Sequence, residues 1–458
     1  MTRPAGSPDT GDAAADSTAP SVPVPATGPA WRRAWVAVRR PVGLYLAVGA
    51  VLWVVSALSV HLLSPITAYD QGPGRFPGDA VLDGWLRFDG NWYRIIAADG
   101  YSYTPGQQSP VAFFPGYPLA VRAASWVVGD PVVAGVVVSV LCGLAVACLF
   151  WRWSLRRADP PVARIALALL LLWPYAWYLY GAVYGDALFL VAVLVAFVLV
   201  ERGHPVLAGL AGAVATATRP VGLAVVVGLV AIVLEQRGVV RLAALDRWRT
   251  ARAAAAGRPS GLRLLAPDRR GPLRPGDAGV LLSLGGLAAW SAYLWSRWGD
   301  PFLFATVQGS PGWDQAAGPH TWFKVTWFQQ GKNLPGWLAE AWTSSGPGAD
   351  QAWTKAVYAG GVLLQGLLVL GAIALVPVIL RRLGWGYALY TLAVVGIPLI
   401  GSKDFQGTGR YLLAAFPCFV VLADLLAGRR RLRATVLVVS ALLLVLWTSA
   451  FARGSYVA

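Results

Sequence analysis

Residues 111–128 read VAFFPGYPLAVRAASWVV. The stretch is apolar enough to enter a bilayer, and whether it crosses sets the direction of every later helix. Pro115 and Pro118 remove backbone donors that a helix interior uses, and Arg122 would put a charge in the middle of the span. The other apolar runs lie near 42–63, 131–151, 163–180, 185–201, 205–218, 220–235, 278–298, 356–380, 385–401, 410–427 and 433–452. They bring 57% hydrophobic and only 13% charged residues to a chain of 458, with mean hydropathy +0.56. Soluble domains carry about 25% charged residues.

Cytoplasmic loops are enriched in Lys and Arg, and this asymmetry arbitrates. If 111–128 does not cross, one side receives Arg152, Arg156 and Arg157, the pair Arg381 and Arg382, the run from Arg429 to Arg433, and the ten arginines of 236–277. Arg32, Arg33, Arg39 and Arg40 hold the N-terminus on that same side. If 111–128 crosses, those loops land opposite the N-terminal arginines. The expectation is therefore an all-α, polytopic transmembrane bundle of eleven spans, with juxtamembrane amphipathic helices in its first outer loop. The N-terminus is cytoplasmic, and 111–128 is a juxtamembrane or re-entrant helix. The net charge of +16 serves topology, and no nucleic-acid partner is expected.

The expected organisation has four parts. Residues 1–40 are a disordered cytoplasmic tail, because their early Ala, Pro, Gly, Ser and Thr cannot bury enough surface to offset ordering. Residues 41–235 form a first transmembrane module with its outer loop at 64–130. A basic cytoplasmic loop covers 236–277, and 278–458 form the C-terminal transmembrane module. Cys142, Cys148 and Cys418 lie inside apolar runs and suggest no disulfide framework.

This topology brings four polar clusters to the outer face: 83–101, Tyr184–Asp186, Thr218–Arg219 and 403–410. Ionisable groups at membrane depth are expensive and usually mark a site. In DGWLRFDGNWYRIIAADGY, residues 83–101, the apolar residues Phe88, Trp92, Ile95 and Ile96 recur at helical spacing. A short interfacial helix is expected over 86–98, with Asp89 in its first turn and Trp92 beside it. Asp89 is either a carboxylate favoured at a helix start or a general base at the interface. Asp186, Arg219 and Arg410 open spans at this face, as edge residues that snorkel or as ligands. Arginine suits phosphate oxygens. Lys403, Asp404 and Tyr184 complete the candidate set.

His61, His204 and His320 have no ligand spacing. HExxH, paired cysteines and a phosphate-binding loop are all missing from the sequence. No metal site and no cofactor are expected, with a divalent cation on Asp residues left open.

The strings FDGNWYRIIAADGY and AFFPGYPL, followed by Trp173-Pro174 through Tyr184-Gly185-Asp186-Ala187-Leu188-Phe189 and by Ala217-Thr218-Arg219-Pro220-Val221-Gly222, resemble the PIG-V family of mannosyltransferases and its bacterial relatives. The resemblance covers residues 80–235 best and reappears at Arg410-Tyr411 and Phe416-Pro417. Phe88 stands where the family has Trp, and Asp186 where it has Glu. Membership in the GT-C superfamily would imply a polyprenyl-phosphate sugar donor, a lipid or glycan acceptor, inversion at the anomeric carbon and a catalytic aspartate in the first outer loop. By position that aspartate is Asp89. The expected enzyme is a plasma-membrane mannosyltransferase with an extracytoplasmic site. A transporter or flippase for a lipid-linked or cell-envelope precursor is the alternative, and a non-catalytic scaffold a third reading. Transporters favour internal repeats and helices broken near mid-bilayer, whereas here the polar groups share one face and the halves do not resemble one another.

Overall fold

The computed structural model describes residues 30–65, 79, 81–239, 271–313, 315, 322–402 and 404–456. Lys403, residues 1–29 and most of the expected basic loop lie outside them. Contacts divide the chain into two units at Arg40, and the larger unit, Pro41–Ala458, carries the bundle and its polar clusters. Among the described residues the structure is all helical, without strands.

Prolines mark where the helices begin. Pro131, Pro160, Pro205, Pro220, Pro275, Pro347 and Pro417 each stand at a helix start. There the missing amide hydrogen would have had no intrahelical partner anyway. At Pro131 the preceding Asp130 adds a side-chain cap, accepting from the amides of Val132 at 2.7 Å and Val133 at 2.9 Å.

After α1 (Ala30–Leu62) come two short helices, α2 (Asp89–Asp99) and α3 (Gly116–Val128). Next are α4 (Pro131–Arg157), α5 (Pro160–Leu171), α6 (Asp186–Glu201), α7 (Pro205–Thr218) and α8 (Leu223–Gln236). A 3-10 segment at Pro275–Leu284 leads into α9 (Gly285–Trp298). The last helices are α10 (Val325–Thr343), α11 (Pro347–Leu383), α12 (Trp385–Gly401), α13 (Thr408–Ala414), α14 (Pro417–Ala427) and α15 (Arg430–Ala452). Five continuous helices are long and apolar enough to cross a membrane, or six if the bent pair α13–α14 counts as one. The chain is a multi-pass membrane protein.

The structure departs from the expected spans where proline intervenes. The run expected at 163–180 ends as α5 at Leu171, because Pro174 disfavours helical geometry in the residue before it. A 3-10 turn, Ala176–Leu179, comes next. The run at 410–427 bends by 83° between α13 and α14. Residues 111–128 divide into a 3-10 turn, Pro110–Ala112, and α3, which begins after Pro115. The expected outer segment 299–352 contains the helix α10.

The helices alternate between two ends of the bundle. At one end Ser59 bonds Ser449, Arg453 bonds the Ser64 carbonyl, and the 83–89 segment meets the end of α15. The other end gathers Arg157 with Glu201 and Tyr387, Arg237 with Asp277, and Arg382 with Asp424. Arg157, Arg237 and Arg382 thus lie at the end of the bundle away from the 83–89 segment.

Candidate active site

Asp89 is the first residue of α2, and its carboxylate reaches across the fold. Arg410 Nη1 donates to Asp89 Oδ2 at 2.9 Å. The same carboxylate stands in the first turn of α2, where a helix start favours negative charge. Arg410 is held in place by its neighbours. Gly407 adopts φ 81° to turn the chain into α13. Gly409 packs so tightly that a β-carbon would lie 2.6 Å from the Tyr175 ring. The Gly409 amide donates to Gln365 Oε1 at 2.9 Å, and its carbonyl accepts from Trp173 Nε1 at 2.9 Å.

A second pair stands beside the first. Arg219 Nη1 donates to Asp186 Oδ1, with both side chains buried. The Tyr411 ring lies between the two guanidiniums, 4.9 Å from Arg219 and 5.4 Å from Arg410. Arg410 also faces the rings of Tyr184 at 5.5 Å and Tyr178 at 5.9 Å. Tyr93, buried on α2, feels Arg219, Asp89, Arg410 and Asp186 together, and burial pushes its phenol well above the ordinary value. Two carboxylates and two guanidiniums therefore stand together behind aromatic walls.

Three polar atoms there are buried with no hydrogen-bond partner among the described residues: Asp186 Oδ2, Arg410 Nε and the Tyr178 hydroxyl. Buried polar groups are normally satisfied, so these orphans are polar atoms that the described residues themselves leave unpaired beside the two guanidiniums.

The other sequence candidates take supporting positions. The Tyr184 hydroxyl donates to the Arg87 carbonyl at 3.0 Å and accepts from the Asp89 amide at 3.2 Å. Trp92 packs on Phe113 at 5.9 Å and Trp313 at 6.0 Å, forming an apolar rim. Asp404 is fully buried, and its Oδ1 accepts from the Gln406 amide at 2.8 Å, shaping the loop before Arg410. The AFFPGYP stretch supplies a wall: Tyr117 is buried and donates to the Gly135 carbonyl at 2.9 Å. Gly116 sits against the end of α7, where a β-carbon would come 2.7 Å from Thr218 Oγ1. Among the described residues no three His, Cys, Asp or Glu side chains group as metal ligands.

Sequence reasoning missed Tyr93, Tyr178 and Tyr411 as site residues. For Tyr178 the available signal was the density of aromatics in WPYAWYLYGAVYGD, 173–186, beside a break in an apolar run. Buried tyrosines carry a polar tip that needs company.

No protein-family model matches the chain, and no curated protein matches it, so the PIG-V resemblance stands on the quoted residues alone. Among solved structures, the Archaeoglobus fulgidus oligosaccharyltransferase aligns at 14% identity and TM-score 0.39, covering 90% of this chain and 56% of that one. The same enzyme in complex with an inhibitory peptide and a dolichol-phosphate gives the same values. ArnT from Cupriavidus metallidurans bound to undecaprenyl phosphate aligns at 16% identity and TM-score 0.35, covering 83% and 77%. The chain thus spans little over half the length of the oligosaccharyltransferase. Likeness this loose carries no argument about function, which rests on the site itself.

Proposed function

We propose that this protein is a membrane glycosyltransferase that moves a sugar from a polyprenyl-phosphate donor to a hydroxyl of a lipid or glycan acceptor, with inversion. The observation that carries the proposal is the arrangement in which Asp89–Arg410 and Asp186–Arg219 flank Tyr411 with polar atoms left unsatisfied. One carboxylate to take a proton and two guanidiniums to hold an anion are what the reaction needs.

The acceptor oxygen attacks the anomeric carbon and forms the new glycosidic bond. The bond from that carbon to the phosphate oxygen breaks, and its electrons leave with the polyprenyl phosphate. The acceptor's hydroxyl proton passes to Asp89. Arg410 and Arg219 hold the phosphate as charge develops on it, through the planar fork that lysine lacks. A lipid-borne donor reaches such a site from the bilayer. The PIG-V resemblance supports mannose as the sugar. The arginine asymmetry supports an extracytoplasmic site in the plasma membrane. A carrier for the same lipid would instead need a site open to both ends in turn, whereas these pairs lie at one end.

The test is transfer from radiolabelled polyprenyl-phosphate-mannose in detergent or vesicles by the wild type and by Asp89→Asn. Loss of about 100- to 10,000-fold is expected on removing a general base. Undiminished transfer by the variant refutes the assignment.

A further inference from the structure

Phe88, the residue before Asp89, has φ 50° and ψ −117°. With Lys324 it is one of two non-glycine residues at positive φ among those described. Such a conformation costs about 1–3 kcal/mol and persists only where its surroundings over-determine it. The sequence supplies Phe here, not the glycine this geometry favours, so something else must hold the turn.

Four sets of contacts do so. The Tyr184 hydroxyl bridges the Arg87 carbonyl and the Asp89 amide, spanning Phe88 on both sides. The Arg87 guanidinium donates twice to the Ala452 carbonyl, from Nε at 3.1 Å and from Nη2 at 2.7 Å. Asp83 locks that guanidinium from the other side at 2.9 Å and 2.6 Å. The Phe88 ring packs between Phe451 at 6.1 Å and Tyr456 at 4.7 Å, the latter edge-on. Tyr456 lies beyond the end of α15, where Gly454 turns the chain at φ 91°. The segment is itself fixed: Arg453 Nε donates to the Ser64 carbonyl at 2.9 Å, and the Ser455 amide to the Ala450 carbonyl at 2.9 Å. Gly84 closes the contact, since a β-carbon there would lie 3.1 Å from that of Ala452. Charge also reaches across: the Tyr456 phenol is pushed up by burial and by the nearby Asp89 carboxylate.

We infer that the segment Phe451–Tyr456 is a clamp that sets the position of Asp89, with Tyr456 and Arg87 as positioning residues that act through the strained Phe88 turn. The inference rests on reading Asp89 as the general base. The clamp contributes no reacting atom. It fixes the direction in which α2 presents its first carboxylate, and Arg410 meets that carboxylate in this orientation.

The experiment measures transfer kinetics of the full chain for Tyr456→Ala, Tyr456→Phe, Arg87→Gln and Asp89→Asn, and for Tyr456→Ala combined with Asp89→Asn. Displacing a reacting group by about 1 Å can lower the rate about 100-fold. Tyr456→Ala and Arg87→Gln should therefore lower kcat by about 10- to 100-fold, with the KM for donor unchanged or lowered. Tyr456→Phe keeps the ring contact and should recover most of the loss. Residues that act as one unit are non-additive, so Tyr456→Ala should cost nothing further once Asp89 is Asn. Wild-type kcat in Tyr456→Ala, or a loss that simply adds to that of Asp89→Asn, overturns the clamp. Arg87→Gln leaves Asp83 without its partner, so a melting temperature accompanies each variant, and Tyr456→Ala decides if Arg87→Gln does not fold. Failure of the functional reading shows separately, as full transfer by Asp89→Asn alone.

Discussion

Arg410 Nη1 and Asp89 Oδ2, 321 residues apart in sequence, lie 2.9 Å from one another. The residue proposed to take the proton is bonded to the residue proposed to hold the leaving phosphate. On the proposed reading, a donor phosphate that engages Arg410 would draw the guanidinium from Asp89 and free the carboxylate for the acceptor.

That competition gives a prediction of definite sign. Asp89→Asn should bind undecaprenyl phosphate more tightly than wild type while losing transfer, because a neutral amide competes less well for the guanidinium. Arg410→Gln should bind it about 10-fold or more weakly, since a charge-assisted hydrogen bond contributes about 1.5–3 kcal/mol. The lipid-induced rise in melting temperature reads both. Weaker binding by Asp89→Asn would rule out the exchange.

Asp186 and Arg219 are both buried, with side-chain exposures of 3% and 5%. Arg219→Met alone strands a buried carboxylate and should destabilise the protein by about 3–5 kcal/mol. Arg219→Met together with Asp186→Leu removes both charges and should regain most of that stability without regaining transfer. Unfolding in detergent and the radiolabel assay separate the two effects. Transfer restored along with stability would mean the pair is structural only.

The wall beside Arg219 is sensitive to one methyl group. In Gly116→Ala the new β-carbon would lie 2.7 Å from Thr218 Oγ1 and 2.9 Å from the Ala217 carbonyl. Backbone cannot yield as a side-chain tip can, so a loss of about 1–3 kcal/mol is expected. Gly43→Ala, which meets nothing within 4 Å, should leave stability essentially unchanged. Equal melting temperatures for the two variants would contradict the packing described.

Sidedness is testable on exposed positions at the two ends. In a cysteine-free background, an impermeant thiol reagent applied to intact cells should modify Ser344→Cys, near the site end, and spare His204→Cys, in the turn between α6 and α7. Both positions are exposed. The opposite labelling pattern would invert the topology and put the site on the cytoplasmic side.

What the sequence determined was class, polarity and inventory. Apolar runs and a low charge content dictate helices in a bilayer, because only internally hydrogen-bonded elements can cross one. Arginine asymmetry separated two faces, and prolines such as Pro131 and Pro205 announced helix starts, since these effects depend on residues near one another in the chain. Asp89, Asp186, Arg219 and Arg410 were legible as charges where charge is costly. Their pairing was not. Asp89 with Arg410 and Asp186 with Arg219 are contacts across 321 and 33 residues, and no local periodicity encodes which carboxylate meets which guanidinium. The strained turn at Phe88 was equally hidden, because an aromatic residue has no intrinsic preference for positive φ. Only packing by Tyr184, Arg87, Phe451 and Tyr456, brought in from distant segments, makes that conformation the stable one.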